Sequence, residues 1–171
     1  MSDSEKKLTE SARNALELAR QQAELLGQTY IGTEHAILGI LLEGKSAASA
    51  AIRRQGVTAE QYSAIIQRHI GRGIRSRLSF SELSSNMQSI LSELLQYEKL
   101  PVGTKQLLLR ILQCPGSAGR RYLLETGCGP EALQECLNNL HSEEHSLKNQ
   151  RKVREREGVL RKYTTNLTEL A

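Results

Sequence analysis

Tryptophan is missing from this 171-residue sequence, and phenylalanine occurs once, at Phe80. A core without large rings has to be built from Leu, Ile and Ala, which favour helices. Few stretches alternate apolar and polar residues in the two-residue rhythm of a strand. These absences predict an all-α protein. Long apolar runs are also lacking, since none approaches the roughly 18 residues of a membrane span. The opening "MSDSEKK" is polar and has no secretory-signal apolar stretch. The expectation is a cytoplasmic protein that does not engage membranes. Cysteine is scarce and odd in number, at Cys114, Cys128 and Cys136, with no C-x-x-C pair, so no disulfide framework is expected. The net charge of +4 is mild, and the basic excess gathers in a connector and in the last thirty or so residues.

What is present is helical patterning. "LTESARNALELARQQAELLG" places Ala12, Ala15, Leu16, Ala19, Ala23 and Leu26 on one face, with Thr9 as N-cap and Gly27 past the last turn. "YIGTEHAILGILLEG", Tyr30 to Gly44, reads as a second helix, apolar nearly all round, with Thr33 as its N-cap and Glu34 in its first turn. A third helix runs from Ser46 to Gln55. A fourth is capped by Thr58 and buries Tyr62, Ile65, Ile66 and Ile70. "RGIRSRLS" then reads as a connector, after which four helices follow in the same order.

The second set is a diverged copy of the first. "PVGTKQLLLRILQCPG", Pro101 to Gly116, repeats the Tyr30–Gly44 stretch 71 positions on. At that shift Gly32 meets Gly103, Thr33 meets Thr104, Leu41 meets Leu112, Ser46 meets Ser117 and Gly56 meets Gly127. Caps, helix-ending glycines and core residues match together, so the duplication is structural. A four-helix unit this short buries too little surface alone, and two copies about a pseudo-twofold axis can share a core. The organisation expected is repeat 1 over 1–71, a basic connector over 72–79, a diverged repeat 2 over 80–140 and a charged linker over 141–171.

These stretches and their duplication closely resemble the Clp N-terminal domain, the double four-helix module of ClpC- and ClpA-type AAA+ unfoldases. The resemblance covers Leu8 to about Leu140. It implies a non-catalytic domain that docks protein substrates and adaptors above a hexameric ATPase ring feeding a Clp-type peptidase. The terminal "YTTNLTELA" is similar to the segment entering the first ATPase module. The string G-x-x-x-x-G-K-[ST] occurs once, as "GILLEGKS" from Gly39 to Ser46, but it falls within and just past the apolar second helix and not in a loop between a strand and a helix, so it does not read as a nucleotide-binding loop. ATP and magnesium are therefore expected for the parent's ATPase modules and no cofactor for this chain. The alternative is a free-standing regulatory Clp-N protein without its own ATPase.

The resemblance also implies a ligand site. ClpC-like members recognise phosphoarginine through the glutamate of the "GTEH" motif and a threonine capping the first helix. Helix N-termini offer N–H groups to phosphate, and a carboxylate takes a guanidinium. By position Thr9, Glu34, Lys7 and Thr33 form the first pocket. Ser81 matches the capping hydroxyl of a second pocket, where Lys105 replaces the glutamate and repels a guanidinium. One intact pocket and one degenerate pocket are expected, with Phe80 near the second. The competing reading of Glu34 is a dipole complement of about 0.3–1 kcal/mol.

Other chemistries are weaker. His35 reads as a hydrogen-bonded packing residue. Cys136, His141 and His145 have zinc-like spacing but no evident fourth ligand, and Cys136 and Cys128 align with the core positions Ile65 and Val57, so no metal is expected. Arg68, Arg72, Arg75 and Arg77 form a basic patch without a stacking platform or helix-turn-helix spacing, so nucleic acid is not expected; a solvated connector is favoured, and an acidic adaptor surface is the further use open to it. No nucleophile–base pair or phosphate loop is present, so the chain is not expected to be an enzyme.

Overall fold

Thr9 sets the first helix. Its backbone is extended and its hydroxyl accepts the Ala12 N–H at 3.2 Å, which starts α1 over Glu10–Leu25. Gly27, at φ +70°, turns the chain out of it. The computed structural model describes residues 7–97 and 101–140, and all helices named below lie within them. They continue as α2 (Thr33–Glu43), α3 (Ala47–Arg54), α4 (Ala59–Ile70), α5 (Ser85–Tyr97), α6 (Thr104–Gln113) and α7 (Ala118–Glu125). Residues 130–140 form α8. Among the described residues the fold is all-α, with eight helices in two four-helix repeats. Ser46, Thr58 and Ser117 cap α3, α4 and α7 with their hydroxyls.

The chain divides into two units, Met1–Leu137 and Asn138–Ala171. Of the second unit only residues 138–140, the end of α8, are described. The charged linker expected over 141–171, with His141 and His145, lies outside the described residues.

Thr33 is not an N-cap. Gly32, with extended backbone, holds that position, and its N–H donates to His35 Nδ1 at 2.9 Å. The same device recurs at α6, where the Gly103 N–H donates to Gln106 Oε1 at 3.0 Å. The Thr33 hydroxyl is thereby free for another task, accepting the Gly119 N–H of α7 at 3.0 Å. Gly119 must stay small, because a Cβ there would sit 2.9 Å from the Thr33 carbonyl oxygen and 2.8 Å from Ile37 Cδ1.

Helix α2 is the centre of the first unit. Every residue from Thr33 to Leu41 is buried, as an all-round apolar helix requires; Leu42 is the exception at 40% exposed. Its contact with α1 is backbone to backbone. A Cβ on Gly39 would overlap the Ala15 carbonyl oxygen of α1, so only glycine permits this approach.

The two repeats grip each other by exchanged bridges. Leu8 pairs with Val102, and Ile31 pairs with Leu83, both in parallel. The Thr9 N–H donates to the Val102 carbonyl at 2.9 Å, and the Val102 N–H donates to the Lys7 carbonyl at 2.6 Å. In the mirrored arrangement the Ile31 N–H donates to the Glu82 carbonyl at 2.7 Å, and the Ser84 N–H donates to the Ile31 carbonyl at 3.0 Å. Each residue of one repeat thus meets the counterpart of its partner in the other, which is the signature of a pseudo-twofold axis.

Candidate functional site

The exchanged bridges bring four helix beginnings together in two pairs. One pair joins the start of α1 to that of α6. It collects Lys7, Thr9, Gly103 and Lys105, and a Cβ on Gly103 would lie 3.7 Å from Thr9 Oγ1. The other pair joins the start of α5 to that of α2, collecting Glu82, Ser84, Ile31 and Gly32, with Glu34 in the first turn.

The bridges distribute the residues of the expected first pocket between the two pairs. They tie Thr9 and Lys7 to the stretch before Lys105, and they tie the stretch before Glu34 to Ser84. Thr33 points to Gly119. Ser81 does not cap a helix; it is exposed and its hydroxyl shares a 2.6 Å hydrogen bond with Ser79. The capping hydroxyl of α5 belongs to Ser84, which accepts the Met87 N–H at 3.3 Å, matching Thr9 and Ala12. The shift of 71 that aligns α2 with α6 does not hold for α1 and α5. The buried Ala12, Ala15 and Ala19 of α1 correspond to the buried Met87, Ile90 and Leu94 at a shift of 75. That periodicity signals the cap, with a four-residue deletion between α5 and α6.

Glu34 is buried at 2% exposure. Its carboxylate folds back over Gly32, and both oxygens lie 2.5 Å from where a Gly32 Cβ would be. Burial pushes the carboxyl above its ordinary range; its own backbone N–H, the Tyr30 hydroxyl and the Arg121 guanidinium act in the opposite direction. Oε1 has no hydrogen-bond partner among the described residues. Burial, and then the Glu34 charge, push the Tyr30 hydroxyl up to about 12. The same two causes raise the fully buried Tyr62, whose hydroxyl donates to the Gly119 carbonyl at 3.0 Å. A carboxylate held among phenols with one empty acceptor can take a cationic donor.

His35 is fully buried, and burial holds its ring down at about 4. The imidazole is neutral, so its 3.5 Å approach to Glu34 Oε1 is not an ion pair. Nδ1 accepts the Gly32 N–H, which leaves the proton on Nε2. His35 is the hydrogen-bonded packing residue the sequence predicts, and the structure adds its part in the cap of α2.

At the other pair, Lys105 leaves the first turn of α6 without an acid. Lys7 is exposed and donates through Nζ to the Leu95 carbonyl at 3.0 Å. Phe80 is 44% exposed, in the turn before α5. Cys128 is buried and Cys136 half-buried. No group of side chains able to hold a metal occurs among the described residues, and no helix among them is long and apolar enough to cross a membrane.

The Clp repeat (R) N-terminal domain profile matches residues 7–123. The chain belongs to this family. It is 27% identical over 172 residues to an ATP-dependent Clp protease ATP-binding subunit ClpA homolog of Cyanidium caldarium, covering 96% of this chain and 20% of that protein. It is 30% identical over 142 residues to the negative regulator of genetic competence ClpC/MecB of Bacillus subtilis, covering 81% and 18%. The Clp-N chain therefore spans about a fifth of the length of the curated relatives it matches. The crystal structure of the N-terminal domain of the chaperone ClpD from Arabidopsis thaliana superposes with a TM-score of 0.61 at 14% identity, covering 78% of this chain and 96% of that one. That likeness is one of fold.

Proposed function

We propose that the chain is the substrate- and adaptor-docking N-terminal domain of an ATP-dependent Clp-type unfoldase that feeds a peptidase in the cytoplasm. The supporting observation is the family membership together with the exchanged bridges, which bring helix beginnings together in pairs. In this reading residues 1–71 and 80–140 are the two docking repeats, 72–79 joins them, and 141–171 tethers them to an ATPase module that binds ATP and magnesium. The chain itself performs no catalysis.

The ligand chemistry we propose is phosphoarginine at the pair that carries Glu34, with Ser84 in place of Thr9. The unpartnered Glu34 Oε1 favours a guanidinium. The start of α5, capped by Ser84 and free of acids, favours the phosphate. The Glu34 carboxylate has to swing out from over Gly32 to receive it. The pair carrying Lys7, Thr9 and Lys105 offers two cations and no carboxylate at the α6 start, so it does not suit a guanidinium.

Calorimetric titration with free phosphoarginine tests this assignment. One-site binding is expected for the wild type, weakened by about tenfold or more in Glu34→Gln and in Ser84→Ala through loss of charge-assisted hydrogen bonds, and retained in Thr9→Ala. Loss in Thr9→Ala with retention in Ser84→Ala overturns the pairing. No binding by the wild type removes phosphoarginine and leaves docking of protein surfaces.

A further inference from the structure

The connector is a strap pinned at both ends. At its start, the Gly73 N–H donates to the Leu26 carbonyl at 3.0 Å and Gln28 Nε2 donates to the Gly71 carbonyl at 3.1 Å. The backbones of Gly27 and Gly73 touch so closely that a Cβ on either would overlap the other. At its end, the Leu78 N–H donates to Glu24 Oε1 at 2.8 Å, and Glu24 is held in turn by Arg20 at 2.6 Å. Leu78 is buried with Ala19, Ala23 and Ile31.

Between the pins the strap shows solvent the side chains a tether would hide. Ile74 is 91% exposed. Arg72, Arg75 and Arg77 are exposed, and none has an ion pair or hydrogen bond among the described residues. Arg75, Ser76 and Arg77 line a groove of about 420 Å³ whose other wall is Gln21, Glu24 and Leu25 of α1. Leu25 is 41% exposed, so an apolar side chain waits on each side of the cations. A fixed backbone carrying unpaired guanidinium groups beside exposed apolar side chains costs little to order on binding.

We propose that this strap and the adjoining end of α1 dock an acidic, leucine-bearing segment of another protein. The proposal rests on the docking reading above and assigns it a surface separate from the Glu34 pair. Charge complementarity names the occupant, because carboxylates satisfy the three arginines while leucine covers Ile74 and Leu25. The chain's own segment 141–171 does not match, with seven Lys and Arg against five Glu. A phosphate backbone matches less well, since Glu24 forms part of the wall and no aromatic ring lines the groove.

Fluorescence anisotropy with a labelled Glu-Leu-Glu-Glu-Leu-Glu peptide at low salt tests it, using the whole chain. The peptide is expected to bind the wild type, about tenfold or more weaker to Arg75→Glu/Arg77→Glu and measurably weaker to Ile74→Ser. These side chains have no ion pair or hydrogen bond among the described residues, so the variants should keep the wild-type melting temperature. A wild type that ignores the peptide, variants that bind it equally well, or a generic DNA duplex that binds as tightly as the peptide each overturn the proposal. Phosphoarginine binding without peptide binding removes the strap alone, and peptide binding without phosphoarginine removes only the ligand assigned to Glu34.

Discussion

In repeat 1, α1 and α2 meet across Gly39 with no side chain between them; in repeat 2 the same position is Arg110. The guanidinium of Arg110 pairs with Glu93 on α5 instead. One repeat is closed by backbone contact and an α2 buried from Thr33 to Leu41, the other by a half-exposed ion pair over a more polar α6. The family duplication therefore keeps the caps and the exchanged bridges but relaxes the packing on one side. Close packing between helix backbones tolerates no added atoms, whereas a surface ion pair contributes little.

The largest test transplants that difference. Gly39→Arg should cost about 3 kcal/mol or more, because α1 has to move away from α2, and it should unfold repeat 1 as seen by thermal denaturation. The reverse change, Arg110→Gly, should cost about 1 kcal/mol, mainly in helix propensity. Comparable losses from the two would show that the repeats are packed alike.

A second test uses His35 against Gln106, which make the same cap. The His35 ring stays neutral when folded and titrates near 6.5 when unfolded, so its contribution is fully present above that pH. It is lost as pH falls toward about 4, up to about 3 kcal/mol in all. Glu34 works the other way. Burial raises its folded pKa, so its burial penalty grows as pH rises past the ordinary carboxylate range. His35→Gln should retain the Gly32 cap and remove the acid-side loss in denaturant melts between pH 4 and 6.5. An unchanged pH profile would place the sensitivity elsewhere.

The two capping hydroxyls offer a smaller and more symmetric comparison. Thr9→Ala and Ser84→Ala should each cost about 1 kcal/mol in chemical denaturation, since their bonds measure 3.2 Å and 3.3 Å. A loss confined to Thr9→Ala would deny Ser84 its role. Smallest of all, Lys105→Glu puts an acid back in the first turn of α6 and should stabilise by about 0.3–1 kcal/mol, less at high salt.

Much of this was legible beforehand. Thr9, Ser46 and Thr58 announce their helices because hydroxyl caps act locally, and the alanines and leucines at helical spacing become the core. Thr33 was misread because a glycine cap has no side chain to advertise it; its acceptor comes from His35 three residues on. The cap at Ser84 is hard to read because "SELSSN" offers several hydroxyls and only the core periodicity of Met87, Ile90 and Leu94 selects among them. Which helix beginnings pair was hidden for a deeper reason. A repeat alignment says which residues correspond, but not which of them meet across the axis, and that depends on contacts some 50 to 95 residues apart in the chain. The burial of Glu34 was hidden by its charge, which composition assigns to the surface.

The exchanged bridges also set an order of events during synthesis. Leu8 leaves the ribosome first and waits for Val102, and Ile31 waits for Leu83. Until both have emerged, neither repeat has its partner edge, and a nascent chain of half length carries open backbone donors and an uncovered face. Closing such distant pairs also slows folding. A Clp N-terminal domain thus passes through an interval of exposure each time it is made, and a gene cut between the repeats would leave that interval without an end.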